Sequence, residues 1–383
     1  MELNNFDRVA FLRDVWQRRS MLIRQPWAAW HNPMEPDDLA GLACEEDVES
    51  RLIVGGANNW SVEHGPVPES RFAALGEQAW TLLVQAVDHH VPEVAALLGA
   101  FRFIPNWRID DVMVSYAADG GGVGPHFDQY DVFLVQGLGR RRWRVGAVCD
   151  ENTPLLAHDD LRLLAAFEPT EEWVLEPGDI LYIPPGFAHD GVAVGSDCMT
   201  YSIGFRAPSR AELIEGWTDE VLGELSDDDR YADPGLHTQS NPGEILPEAL
   251  LELQRMVTER LLDAESFARW FGRYSSTRKY PEVDWRPDKA LTEKAQRKAL
   301  VKGAELERNP ASRFAFLAQD ADAVLLFVDG ECYACSAEVA LFARMLCAQE
   351  RLVADAALAG CDDAVALIVQ LYNQGSLAFT EDD

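Results

Sequence analysis

Basic residues are scarce in this sequence. Its 383 residues include 33 lysines and arginines against 64 aspartates and glutamates, which gives a formal net charge of −31. A field of that sign repels phosphate backbones, so it argues against nucleic acid as a direct substrate and favours a basic protein or peptide as partner. Adaptation to salt, or solubility alone, would produce the same acidity. The charge therefore narrows the class of partner without naming it.

Long apolar runs, a secretory N-terminus and paired cysteines are also missing. No apolar run approaches the roughly 20 residues of a membrane helix, and the N-terminus lacks the basic and apolar segments of a signal peptide. The seven cysteines are scattered, which predicts reduced thiols and a cytoplasmic location. Cys332 and Cys335 form a lone C-x-x-C with no second pair, so ordinary strand cysteines are favoured over a zinc or redox site.

The chain divides by texture into a mixed first part and a strand-rich middle. A protein of this length predicts two or three domains. Helices are expected at 6–16, from 37 onward, and over 80–98 with a break before Pro92. Between about residues 109 and 206, short strands alternate with glycine and proline, which is typical of a β-sandwich or a jelly-roll barrel. The strand candidates are 111–118, 132–136, 141–147, 173–176, 180–183, 191–194 and 199–206.

The last 175 or so residues predict helices and then a small mixed module. Residues 247–270 read as one helix with a wide apolar face, which needs either a second copy of the chain or its own chain as a partner. A basic helical segment at 289–305 follows. Strands at 313–317 and 323–328, a turn and another strand, helices at 337–347 and 363–373, and a strand at 377–379 resemble the element order of a winged helix.

The central motif is a histidine and a carboxylate at a loop-to-strand junction. His126 and Asp128 lie two residues apart after a glycine-rich segment, so in extended backbone both side chains leave the same face. A site with two histidines and one carboxylate needs a second histidine from a distant strand, and leaves coordination positions open for ligands. The best candidate is His189, which follows a Pro-Pro-Gly turn several strands later. A turn histidine satisfied by backbone is the alternative.

An arginine-rich strand candidate adds a possible anion site. Alternation puts Arg140, Arg142 and Arg144 on one face and Arg141 on the apolar face with Trp143 and Val145. An inward charge is costly unless it is paired, and a ligand carboxylate would pair it. Ser115, on the strand candidate 111–118, could add a hydroxyl donor to the same carboxylate. A basic surface strip is the alternative interpretation.

These motifs together resemble a known family. The segments GGGVGPHFDQYDVF, QGLGRRRWRV, EPGDILYIPPGFAH and YSIGFRA are similar to those of the bacterial JmjC-type ribosomal oxygenases. These are Fe(II)- and 2-oxoglutarate-dependent dioxygenases that hydroxylate an arginine side chain of a large-subunit ribosomal protein, with O2 as the oxidant. The resemblance is specific over about residues 105–210 and looser outside.

The resemblance implies an α+β fold, a residue set and partners. The fold would be a double-stranded β-helix (jelly-roll or cupin, JmjC) with flanking helices over 1–207, a helical dimerisation region at 208–287, and a C-terminal winged-helix-like domain at 288–383. His126, Asp128 and His189 would ligate iron, while Arg141 and Ser115 would bind 2-oxoglutarate. A basic ribosomal protein would be the substrate, and the protein would be a homodimer.

Two alternatives stay open. One is a JmjC enzyme that hydroxylates histidine or asparagine, or demethylates lysine. The other is a non-catalytic ribosome- or nucleic-acid-binding protein with a vestigial metal site, which the complete set of ligands and the negative charge argue against.

Overall fold

Two units make up the chain in this computed structural model, which describes residues 2–56, 59–353 and 356–380. The first comprises Met1–Ala207 together with Asn309–Ala311, and the second comprises Pro208–Arg308 and Ser312–Asp383. The division of the second unit into a dimerisation region and a winged helix stays a prediction at this level. No helix within the described ranges is long and apolar enough to cross a membrane.

The first unit is built on one large antiparallel sheet, and its short helices all lie before residue 109 in the sequence. Its helices are α1 (Arg8–Asp14), α2 (Pro36–Leu42), α3 (Glu69–Ala73) and α4 (Pro92–Ala95), with 3₁₀ turns at Val87–His89, Ala96–Phe101 and Asn106–Arg108. Its strands are β1 (Met21–Ile23), β2 (Ser50–Gly56), β3 (Asn59–His64), β4 (Trp80–Val84), β5 (Ile109–Ala117), β6 (Asp131–Val148), β7 (Pro169–Leu175), β8 (Ile180–Ile183) and β9 (Phe187–Phe205). The strand order is β1-β8-β6-β9-β5-β4-β2-β3, and β7 pairs with β6.

The long strands β6 and β9 run through both halves of the jelly roll. The first half of β6 pairs with β8 and with the end of β9, whereas its second half pairs with β7 and with the start of β9. The sequence predicted each long strand as two short ones, at 132–136 and 141–147 and at 191–194 and 199–206, which is wrong. The glycines between the predicted segments, Gly137 and Gly139 in β6 and Gly195 in β9, lie where the register of the pairing shifts, and the strands continue through them.

The two faces of β6 separate two apolar layers. Phe133 packs in a cluster with the N-terminal helices, including Phe11 of α1. Val132 and Leu134, on the other face, belong to a second cluster that also contains Trp143. Trp143 shares this inner face of the jelly roll with Val132 and Leu134, although its position differs in parity, because the register shifts between Gln136 and Arg140 interrupt the alternation.

The helix expected over 80–98 is wrong for its first half. Residues Trp80–Val84 form β4, which pairs with β2 and β5. Ala86 then adopts a left-handed backbone conformation (φ +50°) and ends the strand before the 3₁₀ turn. A short continuous apolar run fits a buried strand as well as a buried helix, and here cross-strand pairing decides between them.

The second unit combines helices with two small sheets. Its helices are α5 (Arg210–Glu224), α6 (Pro247–Leu261), α7 (Ala264–Ser276), α8 (Glu293–Val301), α9 (Ala337–Ala348), α10 (Ala356–Gly360) and α11 (Asp362–Asn373). Its strands are β10 (Glu305–Arg308), β11 (Phe314–Ala318), β12 (Ala323–Val328), β13 (Glu331–Ser336), β14 (Arg351–Val353) and β15 (Leu377–Phe379). They form the sheets β14-β10-β15 and β11-β12-β13.

The single helix expected at 247–270 is two helices. α6 ends at Leu261, and Asp263 caps α7 by accepting hydrogen bonds from the backbone amides of Glu265 and Ser266. The apolar spacing continues across this break, which is why periodicity alone missed it. The aspartate cap was the available signal.

Candidate metal centre

The glycine-rich segment 120–124, which precedes His126, lies alongside the start of β9. This pairing brings His126 and His189 together, although they are far apart in the sequence. The amide of His126 donates to the carbonyl of His189 at 3.0 Å, and the amide of His189 donates to the carbonyl of His126 at 2.8 Å. Gly122 forms a further bridge to Val192. A Cβ atom on Gly122 would overlap the carbonyl oxygen of Gly191, so only glycine allows this close approach of the two backbones.

His126, Asp128 and His189 form a cluster suited to a metal ion. One ligand atom from each residue lies within 4.8 Å of the others. The Asp128 Oδ2 atom is 3.5 Å from His189 Nε2 and 3.9 Å from His126 Nε2. His189 is buried, while the other two side chains are each 23% exposed. Two imidazole nitrogens and one carboxylate oxygen, open on one side, fit a divalent transition metal with free coordination positions.

Backbone carbonyls orient both imidazoles. His126 Nδ1 lies 2.8 Å from the Gly124 carbonyl, and His189 Nδ1 lies 2.9 Å from the Phe187 carbonyl. A carbonyl can only accept, so each Nδ1 carries the hydrogen and each Nε2 keeps a free lone pair for a metal. Burial and the neighbouring His126 lower the pKa of His189 to about 4. His189 is therefore neutral and ready to coordinate at neutral pH.

A buried arginine lies on the same inner face. Arg141, Trp143 and Val145 are 4%, 5% and 1% exposed, whereas Arg140 is exposed. This confirms the alternation expected for the arginine-rich strand. The Arg141 guanidinium lies over the Trp143 ring at 5.4 Å, and that ring is 6.0 Å from the His189 imidazole. Trp143 thus connects the buried cation to the metal-binding cluster.

Within the described residues, Arg141 has hydroxyl partners but no carboxylate. Its Nη1 donates to Ser115 Oγ at 2.9 Å and to Thr200 Oγ1 at 3.3 Å. Its Nε is sealed from solvent and has no partner. A buried guanidinium whose partners among the described residues are neutral hydroxyls lacks a counter-ion, which makes it a candidate site for an anionic ligand.

Sequence reasoning missed two residues beside Arg141. Thr200 contacts the guanidinium, and Gln136 accepts a hydrogen bond from the Thr200 hydroxyl at 3.2 Å. Both are fully buried. The available signal was a glutamine at the end of the apolar run Val132-Phe-Leu-Val135, where a buried amide needs specific partners. Their meeting depends on the register of β6 against β9, which the sequence does not show.

The C-x-x-C pair lies apart from this chemistry in the chain. Cys332 and Cys335 are free cysteines on β13 of the second unit. Burial raises the pKa of both thiols, which disfavours the thiolate needed for metal binding or redox exchange. This agrees with the expectation of ordinary strand cysteines.

Two domain families match parts of the chain. Residues 96–213 match the JmjC domain family, and residues 259–378 match the family described as the ROXA-like winged helix. The first range contains every residue of the metal-binding cluster and of the Arg141 site. The jelly roll and the winged-helix domain expected from the sequence are thereby confirmed.

Similar proteins and structures extend this match over nearly the whole chain. The ribosomal protein uL16 3-hydroxylase of Escherichia coli is 43% identical over 300 residues, which cover 76% of this chain and 79% of that protein. A probable ribosomal oxygenase of Haemophilus influenzae is 38% identical over 68% of this chain and 66% of its own length.

The X-ray structure of E. coli ycfD superimposes with a TM-score of 0.90 at 37% identity and covers 99% of this chain and 100% of that one. A structure of E. coli YcfD in complex with cobalt and 2-oxoglutarate has a TM-score of 0.86 at 37% identity and covers 99% of both chains. With this identity and coverage, the chain belongs to the JmjC-domain ribosomal oxygenases.

Proposed function

We propose that this protein is a dioxygenase that uses Fe(II), 2-oxoglutarate and O2 to hydroxylate an arginine side chain of a large-subunit ribosomal protein. The observation that carries the proposal is the pairing of a two-histidine, one-carboxylate cluster with a buried arginine that has no counter-ion, joined through Trp143 on one inner face of the jelly roll. The cluster of two histidines and one carboxylate fits Fe(II), and the buried arginine fits the far carboxylate of 2-oxoglutarate.

In this proposal His126, Asp128 and His189 hold the metal, and Arg141 and Ser115 hold 2-oxoglutarate. When bound, Fe(II) and 2-oxoglutarate would supply, with O2, the conversion of a substrate C–H bond to C–OH, while 2-oxoglutarate becomes succinate and CO2. The protein's residues supply position and environment. The carbonyls of Gly124 and Phe187 fix the imidazoles, and the buried Trp143 ring packs between the guanidinium of Arg141 and the imidazole of His189.

A basic ribosomal protein suits this chain as substrate. The E. coli relative carries the name ribosomal protein uL16 3-hydroxylase, which supports uL16 as the substrate protein. The formal charge of −31 attracts a basic partner and raises its association rate. Arginine is the proposed target residue on the strength of the family resemblance. The proposed location is the cytoplasm, where the enzyme would meet ribosomal proteins.

Histidine is the second candidate target. A bifunctional lysine-specific demethylase and histidyl-hydroxylase NO66 of Caenorhabditis elegans is 37% identical over 128 residues, but these cover only 32% of this chain and 17% of that protein. The uL16 3-hydroxylase matches much more of the chain, which supports uL16 as the substrate protein, and arginine stays the proposed target on the family resemblance.

We also propose that the helical region at 208–287 forms a homodimer interface, followed by the winged-helix domain at 288–383. On α6, Leu250, Leu251 and Val257 are 54%, 65% and 59% exposed. None of the side chains on this helix is buried. A second copy of the same face would cover these apolar side chains and give the helix the apolar contacts it lacks.

The function is tested by incubating the purified protein with Fe(II), 2-oxoglutarate and uL16 and measuring succinate. Wild-type protein should form succinate in a uL16-dependent reaction, and His126→Ala should abolish it. The matched control is His237→Ala, which changes an exposed histidine of the second unit. Full turnover by His126→Ala would contradict the ligand assignment, and loss of turnover in both variants would show a nonspecific effect of histidine removal.

A further inference from the structure

The buried arginine of the first unit is held by a chain of hydrogen bonds that begins at Gln136. Among the described residues, the Gln136 side chain forms no hydrogen bond with the metal-binding cluster or with a charged group. It lies on β6 directly opposite Thr200 of β9, and both residues are fully buried. Its backbone is also fixed, because its amide donates to the Asp179 carbonyl at 2.9 Å and its carbonyl accepts from the Gly178 amide at 2.8 Å.

The orientation of the Gln136 amide follows from its neighbours. Its Nε2 lies 2.7 Å from the Leu138 carbonyl and 3.2 Å from the Met199 carbonyl. Carbonyl oxygens only accept, so the amide nitrogen must face them and use both of its hydrogens there. The reversed amide would set Oε1 against two carbonyl oxygens. Oε1 therefore faces Thr200.

That orientation fixes the direction of the next hydrogen bond. Thr200 Oγ1 lies 3.2 Å from Gln136 Oε1, which can only accept, so the single hydroxyl hydrogen of Thr200 is used in this bond. Only lone pairs of Thr200 Oγ1 then remain for Arg141, whose Nη1 lies 3.3 Å away. Gln136 thus makes Thr200 an acceptor.

Both Nη1 hydrogens of Arg141 are committed as a result. One goes to Ser115 Oγ at 2.9 Å and the other to Thr200 Oγ1. Among the described residues no partner is found for Nη2, whereas Nε is sealed from solvent and so closed to a ligand. Nη2 therefore keeps its hydrogens for an anionic ligand, to which it can donate a charge-assisted hydrogen bond.

We propose that Gln136 is a positioning residue for the co-substrate. Through Thr200 it fixes the guanidinium of Arg141 so that its Nη2 group is presented to the far carboxylate of 2-oxoglutarate. This inference rests on the proposed function and deepens it. Gln136 itself does not touch the ligand, so its replacement changes recognition of the far carboxylate and leaves metal binding alone.

The test measures ligand binding rather than turnover. Isothermal titration of Mn(II)-loaded protein gives the Kd of 2-oxoglutarate and of 2-oxobutyrate, which has the keto acid group but no far carboxylate. Gln136→Met keeps the volume of the side chain and removes its amide. We expect about tenfold weaker binding of 2-oxoglutarate, the order of one hydrogen bond to a charged group. Binding of 2-oxobutyrate and of Mn(II) should stay at the wild-type values.

A double-mutant cycle separates positioning from general damage. Thr200→Val should weaken 2-oxoglutarate binding about as much as Gln136→Met, and the double variant should be no worse than Thr200→Val alone, because both changes break one chain. Thr200→Ser keeps the hydroxyl and should bind like wild type. Gln136→Glu should bind 2-oxoglutarate more weakly than Gln136→Met, because a carboxylate near Arg141 competes with the ligand.

The outcomes distinguish this inference from the proposed function. Wild-type Mn(II) protein that fails to bind 2-oxoglutarate overturns both. Wild-type binding together with unchanged binding by Gln136→Met overturns the role of Gln136 alone. Equal weakening of 2-oxoglutarate and 2-oxobutyrate, or additive losses in the double variant, also overturns it, since each indicates a general disturbance of the pocket.

Discussion

Replacing Arg141 by methionine removes the buried positive charge and keeps most of the side-chain volume against Trp143. Arg141 is 4% exposed and has no carboxylate partner in the described part of the chain. Truncating one member of a buried, hydrogen-bonded charge pair costs about 2 to 4 kcal/mol. At about 1.4 kcal/mol per factor of ten, this corresponds to a roughly 30- to 1000-fold rise in the KM for 2-oxoglutarate.

The ligand-free protein should respond differently. The guanidinium is a buried charge that only the ligand neutralises, so its removal should leave the free energy of unfolding unchanged or raise it. Stabilisation by added 2-oxoglutarate should disappear at the same time. Urea unfolding of the Mn(II) protein with and without 2-oxoglutarate measures both effects.

Arg140→Met is the matched control. It makes the same change in net charge at the neighbouring, exposed position on the opposite face of β6. Its KM should stay within about twofold of wild type, because a surface charge contributes little. An unchanged KM in Arg141→Met, or an equal rise in both variants, would refute the assignment of Arg141.

Three further predictions concern pH, packing and assembly. Burial in the folded protein lowers the pKa of His189 to about 4 from the ordinary 6.5. Between these two pH values the unfolded chain binds a proton at His189 and the folded chain does not, so protonation favours unfolding. The Tm of the metal-free protein should therefore fall as pH drops from about 6.5 towards 4, and it should fall less in His189→Gln. Gly191→Ala should lower the free energy of unfolding by about 1 to 3 kcal/mol in urea titration, because its Cβ would lie 2.6 Å from indole carbons, whereas Gly99→Ala, with open space around it, should cost little. Leu251→Glu on the exposed α6 face should convert dimers to monomers in light scattering, and an unchanged mass would contradict the proposed interface.

Local patterns in the sequence were sufficient for much of the site. Alternation along β6 placed Arg141 inward, because side chains in a strand point to opposite faces in turn. The pairing of His126 with Asp128 followed from the same rule. Strand 323–328 and strand 377–379 have the predicted bounds, since each is a short apolar run between clear turn signals.

Features that depend on pairing between distant segments were not available from the sequence. The apolar run at 80–84 became a strand only because β2 and β5 flank it. Gln136 and Thr200 acquire their role from the register that sets them opposite each other. The two predicted segments of β6 form one strand, and so do those of β9, because the pairing continues through bulges at the glycine positions. From the sequence alone, glycine at such a position predicts the end of a strand.

Mass spectrometry of uL16 after incubation with the protein shows whether the proposed hydroxylation takes place and on which residue. With Fe(II), 2-oxoglutarate and O2, we expect a gain of about 16 Da, one oxygen atom, localised by fragmentation to an arginine side chain, and no gain when His126→Ala replaces the wild-type protein. A gain of the same size on histidine would contradict the arginine assignment. Unmodified uL16 under conditions in which the protein binds both Fe(II) and 2-oxoglutarate would contradict the proposed substrate.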